Sequence, residues 1–301
     1  MREKEGRGKN RMTGKKDEKK KALTHARHDP MHCLTPGLFR SLKKGDRKRL
    51  KLDVAYDYGN GNRIEFKGHE PLGADDLRVL QGLVAMAGPD GKRIGTEPKT
   101  SVGVVLRKGL KLEWSAVEED AIGIETSFGA LAREIGYQEG GDQYHAIRQC
   151  IERLWAVSII VQKGRKRQGF HLLSRYASDE TTGKIRIALN PLIARAVTGG
   201  RKHTRIGLDE VRALKSDPAR LIHQRLCGWI DPGKSGRVEL NTLCGYVWPE
   251  ESEKPSTVRM RKLAVRKALA ELEGLGWGIQ EYASEKYTIS RGGCDIVDER
   301  V

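Results

Sequence analysis

The sequence predicts an α+β protein made of two tandem helix-turn-helix units, each closed by a β-hairpin. Three observations carry this. The chain has 301 residues, about two domains at ordinary domain size. Its last third reads helix, strand, helix, helix, strand, strand. The same order occurs earlier, between about residues 74 and 176, with similar residues in register.

Residues 1–24 form a basic low-complexity stretch running from Arg2 through Lys19, Lys20 and Lys21. With so little to bury, it cannot offset the entropy of ordering. The expected organisation is a disordered basic tail over 1–27, a first unit with a leading hairpin over 28–200, a second unit over 201–290 and a flexible tail over 291–301.

Residues 50–67 alternate around Gly59-Asn60-Gly61-Asn62 and predict that hairpin. A helix follows at about 74–87, with acids in its first turn and a stop at Gly88-Pro89. A glycine-rich irregular stretch covers about 88–110, with strands expected near 112–117 and 121–125. Ser127 is expected to cap one helix and Asp142 a longer one, QYHAIRQCIERLW. A β-rich run comes next: AVSIIVQ, the basic turn KGRKRQG, FHLLSRYA, the turn SDETTG and KIRIAL.

The last third begins near 205. Asp217-Pro218 read as an N-cap followed by a first-turn proline. ARLIHQRLCGWI is then an amphipathic helix, DPGKSG a turn and RVEL a short strand. Asn241 is expected to cap NTLCGYVW. The acidic linker PEESEKP leads to a long helix over about 256–274, and WGIQEY and KYTIS form two strands around Ala283-Ser284-Glu285.

Helix, strand, helix, helix, hairpin is the order of a winged helix. The repeat extends to residues: LAREIGY (131–137) resembles LNTLCGY (240–246), and AIRQCIERL (146–154) aligns with AVRKALAEL (264–272).

Lys and Arg total 56 against 40 acids, a net charge of +16, which implies a polyanionic partner, most often nucleic acid. No run of about 18 apolar residues occurs, so no membrane partner is expected. The five cysteines are scattered without a C-x-x-C, which suits reduced thiols in a cytosol.

One string points elsewhere. Gly228 to Ser235 spell G-x-x-x-x-G-K-S, the P-loop pattern of nucleotide-binding enzymes. A P-loop needs a strand before it and a helix after it. Here a helix precedes and a strand follows, so a helix-to-strand turn is expected. His28, His32 and Cys33 lack a second ligand pair at useful spacing, and a turn is expected there. No catalytic residue, metal or cofactor is expected, and the chain is read as a non-enzyme. A P-loop NTPase is the disfavoured alternative, and a winged-helix transcriptional repressor is the alternative among DNA-binding proteins.

The long C-terminal helix is the best reader of bases. Val258, Val265, Leu269 and Leu272 form its core face. Ser256, Thr257, Arg259, Arg261, Lys262 and Arg266 are the candidates for base readout, arginine being the side chain that recognises guanine bidentately. Lys163, Arg165, Lys166 and Arg167 of the first hairpin, with Lys234, Lys267 and Lys286, are the candidates for the phosphate backbone.

Long strings are also familiar. RHDPMHCLTPGLFRSLKKGDRKRLKLDVAYDYGNG, PLGADDLRVLQGLVAMAGP, GRKRQGF, ALNPLIA, RLCGWIDPGKSG and LCGYVWP closely resemble the RepC replication initiators of IncQ-type plasmids, from about His28 to about Ser290. The string GWIDPGK(S/T)G belongs to that family's own pattern. The resemblance implies a bacterial cytoplasmic protein that binds directly repeated sequences (iterons) in double-stranded plasmid origin DNA. It implies opening of adjacent AT-rich DNA and loading of a replicative helicase and primase. ATP use would belong to the helicase. It also implies two winged helices, DNA binding as a monomer and a homodimer through the first domain. Residues 1–24 and the stretch GLKLEWSAVEEDAIGIETS resemble the family least.

Overall fold

A computed structural model describes residues 22–88, 92–94, 121–179, 181–197 and 202–293. The strand expected near 112–117, nearly all of the irregular stretch and most of the basic tail lie outside the described residues.

The chain enters through strand β1 (His25–His28), helix α1 (Pro30–Leu34) and a single turn, α2 (Asp46–Arg49). The leading hairpin is β2 (Leu52–Asp57) and β3 (Asn62–Gly68), followed by helix α3 (Ala74–Ala87). Beyond come β4 (Lys92–Ile94), β5 (Ala121–Ser127), α4 (Phe128–Glu134) and α5 (Gly141–Ala156). Two hairpins close the first unit: β6 (Ser158–Lys163) with β7 (Lys166–His171), and β8 (Leu173–Asp179) with β9 (Lys184–Leu189). Helix α6 (Pro191–Val197), β10 (Thr204–Gly207) and α7 (Leu208–Ala213) lead to the second unit. That unit is α8 (Asp217–Trp229), β11 (Ser235–Glu239), α9 (Leu240–Val247), α10 (Pro255–Glu273), β12 (Gly278–Ala283) and β13 (Lys286–Ser290).

The repeat expected from sequence has a physical counterpart. Ile147, Cys150, Ile151 and Leu154 of α5 are buried, and so are Val265, Ala268, Leu269 and Leu272 at the matching positions of α10. Leu131 of α4 and Leu240 of α9, aligned in the same way, are both fully buried. The two units therefore bury the same helix faces.

Their sheets differ. In the second unit β11 pairs with β13 of the hairpin that follows α10, giving the order β11-β13-β12. In the first unit β5 pairs with β4 and β9 instead, giving β4-β5-β9-β8. The basic hairpin β6–β7 joins the leading hairpin in the sheet β2-β3-β6-β7. Ile64 and Phe66 of β3 and Ile159 and Val161 of β6 put their apolar side chains into the core, which favours that pairing.

Three expected caps are placed differently. Ser216, not Asp217, caps α8, its hydroxyl accepting from the Ala219 N–H at 3.3 Å. Helix α5 starts at Gly141, so Asp142 sits in its first turn, where a negative charge favours the helix dipole. Asn241 lies inside α9, which follows β11 directly; the Leu240 N–H donates to the Glu285 carbonyl at 2.8 Å. Ser127 caps α4 as expected. The head of the chain is more ordered than a turn: Asp29 caps α1, accepting from the Met31 N–H at 3.0 Å.

One apolar cluster runs through both units. Strand β1 crosses between them, pairing antiparallel with β10 from His25↔Gly207 to His28↔Thr204. Beside it, the Gln81 amide of α3 donates to the Gln224 carbonyl oxygen of α8 at 2.8 Å. Gln224 in turn donates to Cys33 Sγ of α1 at 3.1 Å. Helix α1 lies so close to α8 that a Cβ at Gly228 would stand 2.6 Å from the Cys33 Cβ. Arg291, expected in the flexible tail, is fixed at this seam by donating to the Arg205 carbonyl at 2.6 Å.

Asp76 organises the first unit. It is fully buried, accepts from Arg153 Nε of α5 at 2.8 Å and Arg47 Nη1 of α2 at 3.1 Å, and takes the Gly73 N–H at 2.7 Å. Asp76→Ala strands these donors in low dielectric. Stability should fall by about 3 kcal/mol, read as a lower denaturant midpoint at unchanged slope. A loss below about 1 kcal/mol would mean that the arginines find solvent instead.

His28 gives a pH test. Its side chain is fully buried, and neither ring nitrogen has a hydrogen-bond partner among the described residues. Burial, with His32 nearby, pushes its pKa down from 6.5 to about 3. At neutral pH the ring is uncharged in both states. As pH falls below 6.5 the unfolded chain takes up a proton that the folded ring refuses, so stability is lost toward acid. Between about pH 7 and about pH 5.5 the loss from this group should be about 1 kcal/mol. His28→Phe should show a correspondingly flatter unfolding midpoint over that range. An identical pH profile in the variant would remove His28 as the cause.

Candidate nucleic-acid interface

Helix α10 presents one face to the core and the opposite one to solvent. Val258 is half-buried, and Val265, Leu269 and Leu272 are buried, as the apolar spacing predicts. Ser256, Arg259, Met260, Leu263, Arg266, Lys267 and Ala270 are exposed. Their spacing of three and four residues makes a single outward stripe.

The six readout candidates separate on this helix. Ser256 and Arg259 lie on the stripe, and Arg266 lies at its edge. Thr257 is half-buried in the first turn. Arg261 turns away from the stripe. Its guanidinium stacks over the Trp248 ring at 5.3 Å and donates to the Glu250 carbonyl at 2.6 Å. Lys262 points to the hairpin, its Nζ 2.6 Å from Glu285 Oε2.

Glu285 is the site residue that sequence reasoning missed. It sits between β12 and β13 with φ of 60°, a left-handed conformation unusual for a residue with a side chain. Its carboxylate faces α10 and takes both Lys262 and Arg266, the latter at 3.3 Å. Lys262, with Arg266, holds the Glu285 carboxyl below the usual carboxylate range. The only sequence signal was an acid in a tight turn after a basic helix. A second missed pair is on the same sheet: the Arg237 guanidinium of β11 lies 5.1 Å from the centre of the half-exposed Tyr282 ring of β12.

The phosphate candidates lie at several places. Lys267 is on the α10 stripe, next to Arg266. Lys286 is exposed on β13, with its Nζ 3.4 Å from Glu239. Lys163, Arg165, Lys166 and Arg167 are all exposed around the β6–β7 tip, with Arg167 3.5 Å from Glu65. The outward positions of α5 carry Asp142, His145, Ala146, Gln149, Glu152 and Trp155, a face with no cationic stripe. The first unit therefore offers its hairpin where the second offers its helix.

Lys234 is exposed in the turn after α8. The string GWIDPGKSG forms the helix-to-strand turn expected of it. Gly233 takes a φ of 75°, as such a turn requires. Its N–H donates to the Arg291 carbonyl and the Lys234 N–H to the Asp231 carbonyl, each at 3.0 Å. These amides, which a P-loop would turn on a phosphate, are spent on carbonyls of the protein itself. Gly228 serves the packing of α1.

Among the described residues, Glu210, His223 and Cys227 could offer three ligands to a metal, their ligand atoms lying within 4.8 Å of one another. Their contacts are those of a buried ion pair. His223 Nε2 is 3.0 Å from Glu210 Oε2, and Trp277 Nε1 donates to the other oxygen at 2.9 Å. Burial opposes a charge on His223, but Cys227 and Glu210 outweigh it and push the imidazole up to about 10. The pair ties α7 to α8 and to the approach of β12. Four cysteines among the described residues are free thiols, three of them buried.

A cationic stripe on an exposed helix, backed by a basic hairpin tip, suits a polyanion, and the class it defines is a nucleic-acid-binding protein. The chain belongs to the replication protein C (RepC) family, whose model matches residues 20–293. Its α+β fold is that of two solved structures. The crystal structure of RctB domains 2–3 (RctB-155-483) aligns with a TM-score of 0.54 at 11% identity, covering 89% of this chain and 98% of that one. The selenomethionine derivative of domains 2 and 3 of RctB aligns with a TM-score of 0.53 at 11% identity, covering 87% and 98%. At that identity the likeness speaks for the fold. No curated protein sequence matches the chain. Family membership gives the broad role, initiation of DNA replication. No helix among the described residues is long and apolar enough to cross a membrane.

Glu285 gives the prediction for this surface. Glu285→Gln removes one negative charge and frees Lys262 and Arg266. Affinity for arbitrary duplex DNA should rise, and the slope of log K against log salt should steepen by about 1–2 as two more phosphates are neutralised. A filter-binding salt titration reads this. An unchanged slope would place both cations away from the phosphates.

Proposed function

We propose that this protein initiates plasmid replication by binding direct repeats in an origin through two winged helices. The second unit would lay α10 in a major groove. The first would grip neighbouring backbone with the β6–β7 tip. The observation that carries the reading is the contrast between two helices with matching buried positions. α10 turns Arg259, Arg266 and Lys267 outward, whereas the matching positions of α5 are Gly141, Arg148, half-buried over the Phe128 ring, and Gln149.

Arg259 and Arg266 would read bases, with Ser256 and the free N–H groups of the first turn near phosphate. Lys267, Lys234, Lys286 and the tip residues Lys163, Arg165, Lys166 and Arg167 would neutralise backbone. Units joined side by side could reach successive grooves on one DNA face, about 34 Å apart. In this reading the chain is not an enzyme, requires no cofactor and works in the bacterial cytoplasm. Opening of AT-rich DNA, loading of helicase and primase, and pairing of two copies through the first unit belong to the same proposal. Their support is the resemblance to IncQ-type initiators.

The test is a footprint on the cognate origin combined with two variants. Arg259→Ala should weaken repeat binding by about 1–3 kcal/mol and relax preference at one base pair. Neutralising the Lys163–Arg167 tip should weaken binding to all sequences alike and flatten the salt slope. Repeat affinity untouched by Arg259→Ala would remove α10 as the reader. A parental salt slope in the tip variant would remove the hairpin from the interface.

A further inference from the structure

We propose that Met260 and Leu263 read thymine, by packing against the 5-methyl groups that line the major-groove edge of A·T pairs. The proposal rests on α10 being the major-groove helix and adds what that helix recognises there.

Among the described residues, five large apolar side chains are markedly exposed, and two of them are Met260 and Leu263, at 63% and 45%. They are three residues apart, so they lie side by side on α10. They occupy the middle of the outward stripe, with Ser256 and Arg259 on one side and Arg266 and Lys267 on the other. An apolar pair framed by cations is poorly suited to the centre of a protein interface, from which charge is usually depleted. It suits the floor of a groove whose walls are phosphates.

The sequence of the helix supports the same occupant. PSTVRMRKLAVRKALAELE contains no Asn or Gln, the side chains that pair bidentately with adenine. Its arginines can recognise guanine. For an A·T pair, the major-groove feature that the apolar centre of this stripe can grip is the thymine methyl, an apolar group that asks for an apolar partner. Met260 is unbranched and adaptable, and Leu263 fixes the centre of the contact.

The experiment uses the full chain and an origin fragment carrying the repeats, made with thymine and, in parallel, with uracil in its place. The exchange removes the methyl and leaves every hydrogen-bonding group of the base pair. The parent should bind the uracil fragment about fourfold more weakly for each methyl buried, the worth of one carbon group taken from water. Met260→Ala/Leu263→Ala should bind the thymine fragment correspondingly less well and distinguish the two fragments less. Both side chains are exposed and alanine favours a helix, so the variant should melt like the parent. Equal affinity of the parent for both fragments overturns the proposal, as does a parental thymine-to-uracil ratio in the double variant. Arg259→Ala is measured beside them. If it weakens binding while the methyl is immaterial, α10 remains the reader and the methyl contact alone falls. If Arg259→Ala and the double variant both bind as the parent does, the major-groove assignment falls with it.

Discussion

The surfaces proposed to face DNA depend on a contact between the two units, the buried hydrogen bond between Gln81 of α3 and Gln224 of α8. Two amides in an apolar seam are costly unless each meets its partner in good geometry. The seam is thereby held to one alignment, and Gln224 extends it to Cys33. The pairing of β1 with β10 and the anchoring of Arg291 close the same joint from the other side. Separate domains on a flexible linker would let the tip of β6–β7 and the face of α10 drift apart. Here one continuous core fixes their spacing. The register in which the two units would meet successive grooves thus becomes a property of the seam.

A smaller joint fixes α10 itself. The Glu285 carbonyl accepts from the first N–H of α9, while its carboxylate takes Lys262 and Arg266 of α10. One residue in a tight turn therefore holds the hairpin against both helices. On the opposite side of α10, Arg261 is clamped by Trp248 and the Glu250 carbonyl. These residues orient the stripe more than they belong to it. Of the basic residues near the start of α10, Arg259 is the one placed on the exposed stripe.

The sequence makes local structure legible and hides its long-range partners. The matched apolar positions of AIRQCIERL and AVRKALAEL foretell the same buried faces, because helix periodicity is a local property. The flanks of GWIDPGKSG foretell a turn, since a helix before and a strand after are also local. The β1–β10 pairing joins residues at opposite ends of the first unit, and four short residues carry no signal for so distant a partner. The pairing of β5 with β9 rather than with the basic hairpin is hidden for the same reason. Charge counting likewise finds the basic helix. It cannot tell that Arg261 and Lys262 serve protein contacts while Arg259 faces outward, because Trp248, Glu250 and Glu285 come from other elements.

The repeat explains how one scaffold supplies two kinds of contact. The four buried positions shared by α5 and α10 set the helix against its sheet and its neighbours. The outward positions take no part in that packing, so they can change without cost to the core. In α10 they include arginine, methionine, leucine and lysine; in α5 they include aspartate, histidine, glutamine, glutamate and tryptophan. A cationic tip has instead been placed on the first unit's hairpin, whose sheet is widened by the leading strands β2 and β3. Among the described residues, that wider sheet supports the hairpin from one side, with β7 as its edge running to the basic turn. An edge strand rich in lysine and arginine resists pairing with another chain, so the residues proposed for a phosphate backbone also protect the sheet that carries them.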